Sequence, residues 1–485
     1  MTRARNRRIT LLAGLLAAAA LGGCGSVAAK RGATVMFASG ADLQSINPLL
    51  TQHPLAHQVQ RYVLFTTLVR YDSAMQVEPY LASSWRWSPD HRRLTFILHA
   101  GVRWHDGSPT VARDAEWTLD AARDSVTGYP RYQDVRGIQR VSAEDDTTLV
   151  IQFAAPQSRI PDVLTDLAVL PQHLLGRVPH GELRSAPFNE HPVGNGPFRF
   201  VSHEPNRRWV FQRNDAFPAS LGGPPKLDRF IVVVVDEPAT KLAALSSGEL
   251  DFAGIQPAHA AFVRRDPHLA VATYPLLFTY GIVFNTRHAP FNQLDVRRAV
   301  SEGLDRQEIV DGYLFGFGTP AWGPVPEGVP GRLDPGHGSR VTSRDVARPE
   351  TRDPRPSFQL LTVGSGEAAL EQLIQAQLAR AGFTVHIRQM ELSAFLDRVY
   401  SSHDFDAAVL GVPGDPGLGY LAPLLQLAGL PADGNPDDEQ RTFHDQVPVA
   451  FLYHARGLQG MNRRVRHVVM DLRGELPTVA QWSVE

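Results

Sequence analysis

An α/β fold, with strands and helices alternating along the chain, is what the sequence predicts, and three stretches carry the prediction. Phe358-Gln359-Leu360-Leu361-Thr362-Val363 is a strand-like run closed by Gly364-Ser365-Gly366, followed by a helical stretch from Glu367 to Arg380 and a second run, Thr384-Val385-His386-Ile387. Strand, helix and strand in that order form a β-α-β unit, which implies a locally parallel sheet. Ile231 to Val235 is a continuous β-branched run, the pattern of a strand covered on both faces. Residues 147–153 alternate as a half-buried strand does, while Ala112 to Ala122 carries apolar residues at helical spacing.

The other elements follow in chain order. Thr34-Val35-Met36-Phe37 reads as a strand that ends before Gly40, and a loop then closes on Asn47-Pro48-Leu49-Leu50. His57 to Phe65 has helical spacing, and Leu94 to Leu98 reads as a strand. Thr240 to Ser247 reads as a helix that Gly248 terminates. Gly382 closes the helix ahead of Thr384. Residues 328–356 are rich in Gly, Pro, Arg and Asp without periodicity, which predicts a surface loop or a disordered insertion.

The 485 residues are 43% hydrophobic and 20% charged, with a net charge of -2, so the balance favours neither nucleic acid nor an anionic membrane surface. The single cysteine, Cys24, excludes an intramolecular disulfide and a cysteine-rich metal site. The chain opens with Arg3, Arg5, Arg7 and Arg8, continues into an apolar run from Ile9, and reaches small residues at Gly22-Gly23. That is the order of a signal peptide. The run is shorter than the roughly 20 residues that span a bilayer, which weighs against an anchor helix. A plain secretory signal with an incidental cysteine, or a short anchor, are the alternatives.

Catalytic signatures are missing. There is no His-Glu-x-x-His, no Gly-x-Ser-x-Gly and no phosphate-loop Gly-Lys-Ser/Thr. The turn at Gly364 and Gly366 lacks the third glycine of a dinucleotide site, so a tight strand-to-helix turn explains it better. His91, His99 and His105 do not share ligand spacing. Glu249 and Asp251 read as a helix end entering a strand, and Trp85, Trp87, Trp104 and Trp117 as packing around a hairpin. No cofactor, no metal and no enzymatic activity are expected.

Leu21-Gly22-Gly23-Cys24 resembles the lipobox of bacterial lipoproteins, which implies a signal peptide over 1–23, lipidation of Cys24 and a tether over 24–33. Further on, several blocks stand in a recognisable order. They are Leu81-Ala82-Ser83-Ser84-Trp85 through Gly101-Val102-Arg103-Trp104-His105-Asp106-Gly107-Ser108-Pro109 to Ala112-Arg113-Asp114; Val193-Gly194-Asn195-Gly196-Pro197-Phe198 with Arg213-Asn214-Asp215; Ser247-Gly248-Glu249-Leu250-Asp251; Phe284-Asn285-Thr286 with Asp295-Val296-Arg297-Arg298-Ala299 and Leu304-Asp305-Arg306; and Gln375-Ala376-Gln377-Leu378 with Gly382-Phe383-Thr384-Val385 and Phe405-Asp406. In this order they resemble the bacterial extracellular solute-binding proteins of the dipeptide/oligopeptide type, the receptors of ATP-binding-cassette importers.

The resemblance implies a two-lobed, type II periplasmic-binding-protein-like fold with an extra subdomain and a ligand cleft between lobes. Carried over, lobe I takes residues 34–50, 193–285 and 448–485, the extra subdomain 51–192, and lobe II 286–447, with the insertion at 328–356. The turn Gly194-Asn195-Gly196 is expected to need permissive backbone where the chain crosses between lobes. In peptide-binding members an aspartate before a proline pairs with the ligand α-amino group. Asp415, in Gly414-Asp415-Pro416, holds that position, and an Asx-turn is the structural alternative. Asn47, Tyr280 and Trp322 fall in segments that flank the family's cleft.

Two departures stand out. No aromatic residue precedes the Asp-Pro pair, where Leu410 and Val412 stand instead, and the stretch between Leu424 and Val447 is short, with Leu430 to Pro436 looking like a remnant. The expectation is a monomeric, lipid-anchored extracytoplasmic receptor that captures an oligopeptide or dipeptide and delivers it to the permease subunits of an ABC importer. The alternatives are a receptor for a metal chelate, opine or oligosaccharide, or a degenerate receptor acting as a signalling or scaffold lipoprotein.

Overall fold

In the computed structural model, residues 33–51, 53–333 and 356–485 are described. Cys24, the signal and tether segments, and most of the insertion expected at 328–356 lie outside them. No described helix is long and apolar enough to cross a membrane.

The chain begins with β1 (Thr34–Ser39), then a helix Pro54–Val59 that runs on into a wider π turn, Gln60–Leu64. A short ribbon of β2 (Val69–Tyr71) and β3 (Val77–Pro79) follows. Next, β4 (Ala82–Trp87), β5 (Arg93–Leu98), β6 (Ile138–Ala143) and β7 (Thr148–Phe153) form a separate antiparallel sheet in the order β4-β5-β7-β6. The helix Ala112–Arg123 starts where expected, and Asp114 explains the motif around it. Its buried carboxylate accepts from Val111 N–H at 2.9 Å, Gln172 N–H at 2.9 Å and Trp104 Nε1–H at 3.1 Å, tying hairpin, helix and following segment together.

The principal sheet has eleven strands. Along the chain they are β1, then β8 (Phe198–Glu204), β9 (Arg208–Arg213), β10 (Arg229–Val234), β11 (Phe252–Gly254), β12 (Leu269–Phe284), β13 (Gly318–Pro320), β14 (Ser357–Val363), β15 (Thr384–Met390), β16 (Ala407–Pro413) and β17 (Val449–Asn462). In space they run β15-β14-β16-β12-β17-β11-β1-β10-β9-β8, with β13 beside β17. The expected β-α-β unit is present: β14 and β15 pair in parallel across the helix Ala369–Arg380. The β-branched run lies in β10, where Phe230 and Val232 enter the main core and Val233 packs on the smaller cluster around Leu245. In the other half, Ile282 and Phe284 face one core and Val283 the opposite one, so the sheet is covered on both sides.

β12 and β17 belong to both halves. Residues 269–275 of β12 pair with 456–462 of β17, whereas 278–284 also pair with β16, with register shifts between Pro275 and Thr279 and between Tyr280 and Gly281. The change of neighbours therefore falls within these two strands, ahead of residue 286 and beyond residue 448. At the other crossing, Gly194 and Gly196 matter for closeness rather than for unusual dihedrals: a Cβ on Gly194 would stand 1.9 Å from Leu64 O, and one on Gly196 2.6 Å from Leu64 C. Between them Asn195 Oδ1 accepts from Thr66 N–H at 2.9 Å. The segment thus docks backbone to backbone on the π turn.

Candidate functional site

A cavity of about 810 Å³ opens between the N-terminal segments, residues 57–75 and 131–166, and the end of β16 with its following turn. The helix Pro54–Val59 and its π turn supply His57 and Arg61, four residues apart and so on one face, together with Tyr62. β2 supplies Tyr71, the loop after β7 supplies Arg159 and Asp162, the short helix Val163–Asp166 supplies Asp166, β12 supplies Leu277, and the end of β16 with its following turn supplies Pro413 to Gly417, Gly419 and Tyr420.

One side of the cavity is an ion-pair knot around Asp166. Arg61 Nη1 donates to its carboxylate, Arg131 Nη1 stands 2.6 Å away and His57 Nδ1 3.3 Å. Burial works to raise the Asp166 pKa, but Arg61, His57 and Arg131 together hold the carboxyl well below the ordinary range. Arg131 also holds Asp134 at 2.6 Å, and Arg473 holds Asp471 at 2.6 Å. Arg61, Arg131, Asp134, Asp166 and Arg473 together line this side of the cavity.

The rest of this wall, and the turn after β16 that faces it, are built differently. Tyr71 Oη–H donates to Asp162 Oδ1, and Arg159 Nη2 lies 3.8 Å from Asp162 Oδ2. Burial raises the Asp162 pKa; Tyr71 and Arg159 pull it down, and the Asp415 charge pushes it up again. Asp415 accepts Gly419 N–H at 3.2 Å and, among the described residues, has no cation within ion-pair distance. Between the two carboxylates lies Gly417, where a Cβ would stand 1.9 Å from Asp162 Oδ2 and 2.6 Å from Asp415 Oδ1. Arg159 Nη1 donates to Pro416 O at 3.3 Å, a direct hydrogen bond across the cleft.

The four residues singled out from sequence do not converge. Asp415 lines the cavity. Asn47 is fully buried, with Oδ1 accepting Leu49 N–H at 3.0 Å and Nδ2 donating to Asn189 Oδ1 at 3.1 Å, and it does not reach the cleft. Tyr280 stacks on Tyr453 at 4.8 Å between ring centres, half-buried against the lobe core. Trp322 covers the Arg306 guanidinium at 4.1 Å and faces a separate hollow of about 380 Å³ beside Phe443 and His444. The residues missed are His57, Arg61, Arg131, Arg159, Asp162 and Asp166. Only the His57–Arg61 spacing could have drawn attention to any of them. Among the described residues, no three His, Cys, Asp or Glu side chains converge as a metal ion would require.

The family model described as "Bacterial extracellular solute-binding proteins, family 5 Middle" matches residues 76–427. A Brucella ovis protein, named for peptide binding in an ABC transporter, is 31% identical over 259 residues, covering 53% of this chain and 48% of that one. The match thus spans about half the length of that relative. The glutathione-binding protein of Pectobacterium atrosepticum is 27% identical over 368 residues, covering 73% of this chain and 69% of that one. In structure, the oligopeptide-binding protein AppA of Bacillus subtilis, solved with a nonapeptide, superposes with a TM-score of 0.72 at 20% identity, over 94% of this chain and 99% of that one. The fold is therefore that of the two-lobed periplasmic peptide-binding proteins.

Proposed function

The chain belongs to family 5 of the bacterial extracellular solute-binding proteins, and from that premise we propose that it is an extracytoplasmic receptor that captures a dipeptide or oligopeptide and hands it to an ABC importer. The observation that carries this reading is the charged cleft in which, among the described residues, Asp415 stands without a counter-ion. A carboxylate held this way favours a ligand ammonium such as a peptide amino terminus, since a nearby opposite charge relieves its isolation. Nothing in the cleft acts on the ligand chemically; lobe closure buries it and creates the surface the permease reads.

The lobe division inferred from sequence accompanies this reading, with lobe I at 34–50, 193–285 and 448–485, the extra subdomain at 51–192 and lobe II at 286–447. Asp415 is assigned to the ligand; Asn47, Tyr280 and Trp322 stand away from the cavity and are assigned no contact with it. Cys24 is assigned to a lipid anchor that holds a monomeric receptor beside its importer, since two or three acyl chains give lasting attachment where one does not.

Mass spectrometry of copurified small molecules, followed by calorimetric titration with the peptides found, tests the assignment. A retained peptide whose binding falls at least about tenfold in Asp415→Ala supports it. A retained metal chelate or sugar, with no peptide bound, overturns it. Incorporation of labelled fatty acid that is lost in Cys24→Ser tests the anchor separately.

A further inference from the structure

We propose that the Arg159 guanidinium, paired with Asp162 beside Asp415, is a resident substitute for the ligand's cationic group, in place when the cleft is empty and displaced when ligand enters. The inference deepens the assignment of Asp415 to a ligand ammonium and rests on it.

Three contacts place the guanidinium there. Its Nη2 is 3.8 Å from Asp162 Oδ2, its Nη1 donates to Pro416 O at 3.3 Å, and Nη2 stands 3.0 Å from the point where a Gly417 Cβ would project. That same point is 1.9 Å from Asp162 Oδ2 and 2.6 Å from Asp415 Oδ1. Two carboxylates from opposite sides of the cleft therefore approach one small volume, and Arg159 is the cation at its edge. Like charges this close repel unless a cation lies between them.

The construction also suits exchange. The Arg159 side chain is 47% exposed whereas that of Asp162 is 15% exposed, so the cation is loosely held and its receptor is fixed. Tyr71 Oη–H pins Asp162 Oδ1, leaving Oδ2 directed at Gly417. Because Gly417 has no side chain, Asp162 Oδ2 and Asp415 Oδ1 can both come close beside it. A compact ammonium or guanidinium group entering from the cavity takes over the neutralisation, and Arg159 swings into solvent at small cost because its pair with Asp162 is long and half-solvated. Ligand charge, in this account, decides which solutes close the cleft, and a solute without a cation cannot evict Arg159.

Small-angle scattering of the full chain at mildly alkaline pH, without peptide, tests the substitution. Arg159→Ala is expected to increase the radius of gyration as the uncompensated carboxylates part, and methylguanidinium chloride is expected to reverse the change where sodium chloride does not. The double variant Arg159→Ala/Asp162→Asn is expected to remain compact without any added cation. The wild-type chain should need about tenfold more methylguanidinium than Arg159→Ala to show binding. An Arg159→Ala protein as compact as the wild type, or one that responds equally to both salts, overturns the proposal. Trialanine failing to bind the wild type would remove the peptide assignment while leaving the scattering result intact, so the two failures are distinguishable.

Discussion

The ring of Tyr274 lies against Gly457, its partner across the β12–β17 ladder, so closely that a Cβ on residue 457 would stand 2.0 Å from the ring Cζ. The contact sits one residue before the register shift at Pro275, where the two strands pass from one half of the molecule to the other. Tyr274 Oη–H donates to Glu475, which also receives Gln459 Nε2–H at 2.6 Å, and the Glu475 and Leu476 N–H groups donate to Gln58 Oε1 at 2.5 and 2.9 Å. The crossing strands are thereby fastened to both the C-terminal turn and the first helix.

Gly457→Ala should push the ring off its seat and cost about 1–3 kcal/mol, as overpacking does. Tyr274→Phe keeps the ring and loses only the hydroxyl's bond to Glu475, leaving the Gln459 bond in place. Its cost should be nearer 1 kcal/mol. Urea midpoints order the two, and Tyr274→Phe being the more damaging would contradict the steric argument.

Asp251 is fully buried and held by Arg464 through two nitrogen–oxygen contacts of 2.7 Å, while Met36 N–H donates to it at 2.9 Å. Arg464→Met leaves a buried carboxylate without its cation and should cost about 3–5 kcal/mol in denaturant unfolding. Replacing both residues together with apolar ones should cost less than that single change, which a double-mutant cycle reads directly.

Acid should unfold the protein in two steps. Burial pushes His454 down to about 4 from an ordinary 6.5, and His105 shifts to about 4 for the same reason. Between those values the unfolded chain takes up protons that the folded chain refuses, so stability is lost as pH falls from 6.5 toward 4. At about 1.4 kcal/mol per unit, nearly fully buried His454 accounts for about 3–4 kcal/mol. Asp166 acts at the other end: its carboxyl is held below 3.8, so its contribution is present above that value and is lost only as pH falls beneath it. His454→Gln should reduce the upper step, leaving the His105 share of it and the lower step in place, as followed by circular dichroism across the acid range.

Gly417→Ala should impair ligand capture without unfolding the chain. The added methyl would stand 1.9 Å from Asp162 Oδ2, so the turn after β16 must withdraw from the opposite wall. Binding of the copurified ligand should weaken at least about tenfold while the thermal midpoint stays within a few degrees. Unchanged affinity would show that the two walls need not meet.

Much of the fold was legible because its signals are local. The β-α-β unit at 357–390 announces itself by period and glycine punctuation, and Asp114 by its place in the first turn of a helix. The helix Pro436–Gln446 was hidden: apart from Phe443 it is almost wholly polar, its other buried residues being Glu439 and Gln440, so no apolar period marks it within a stretch that reads as shortened. β12 and the far half of β17 were hidden for another reason. They cross from one half to the other through Pro275 and Gly457, where alternation breaks. Of the cleft, Asp415 was visible through its place in an Asp-Pro segment that resembles the family's, but Arg159 is 257 residues from its partner Pro416, and no local pattern encodes that meeting.

Both halves depend on β17. That strand begins at Val449, yet it completes pairing with β11 and with β12, and beyond it Trp482 stacks on Phe252 at 4.8 Å in the principal core. Neither half finishes its sheet from earlier residues alone, because the non-local pairs wait for the chain's late segments. Removing the chain from Val449 onward therefore strips both halves of a strand at once, so damage to this one segment is not confined to either half.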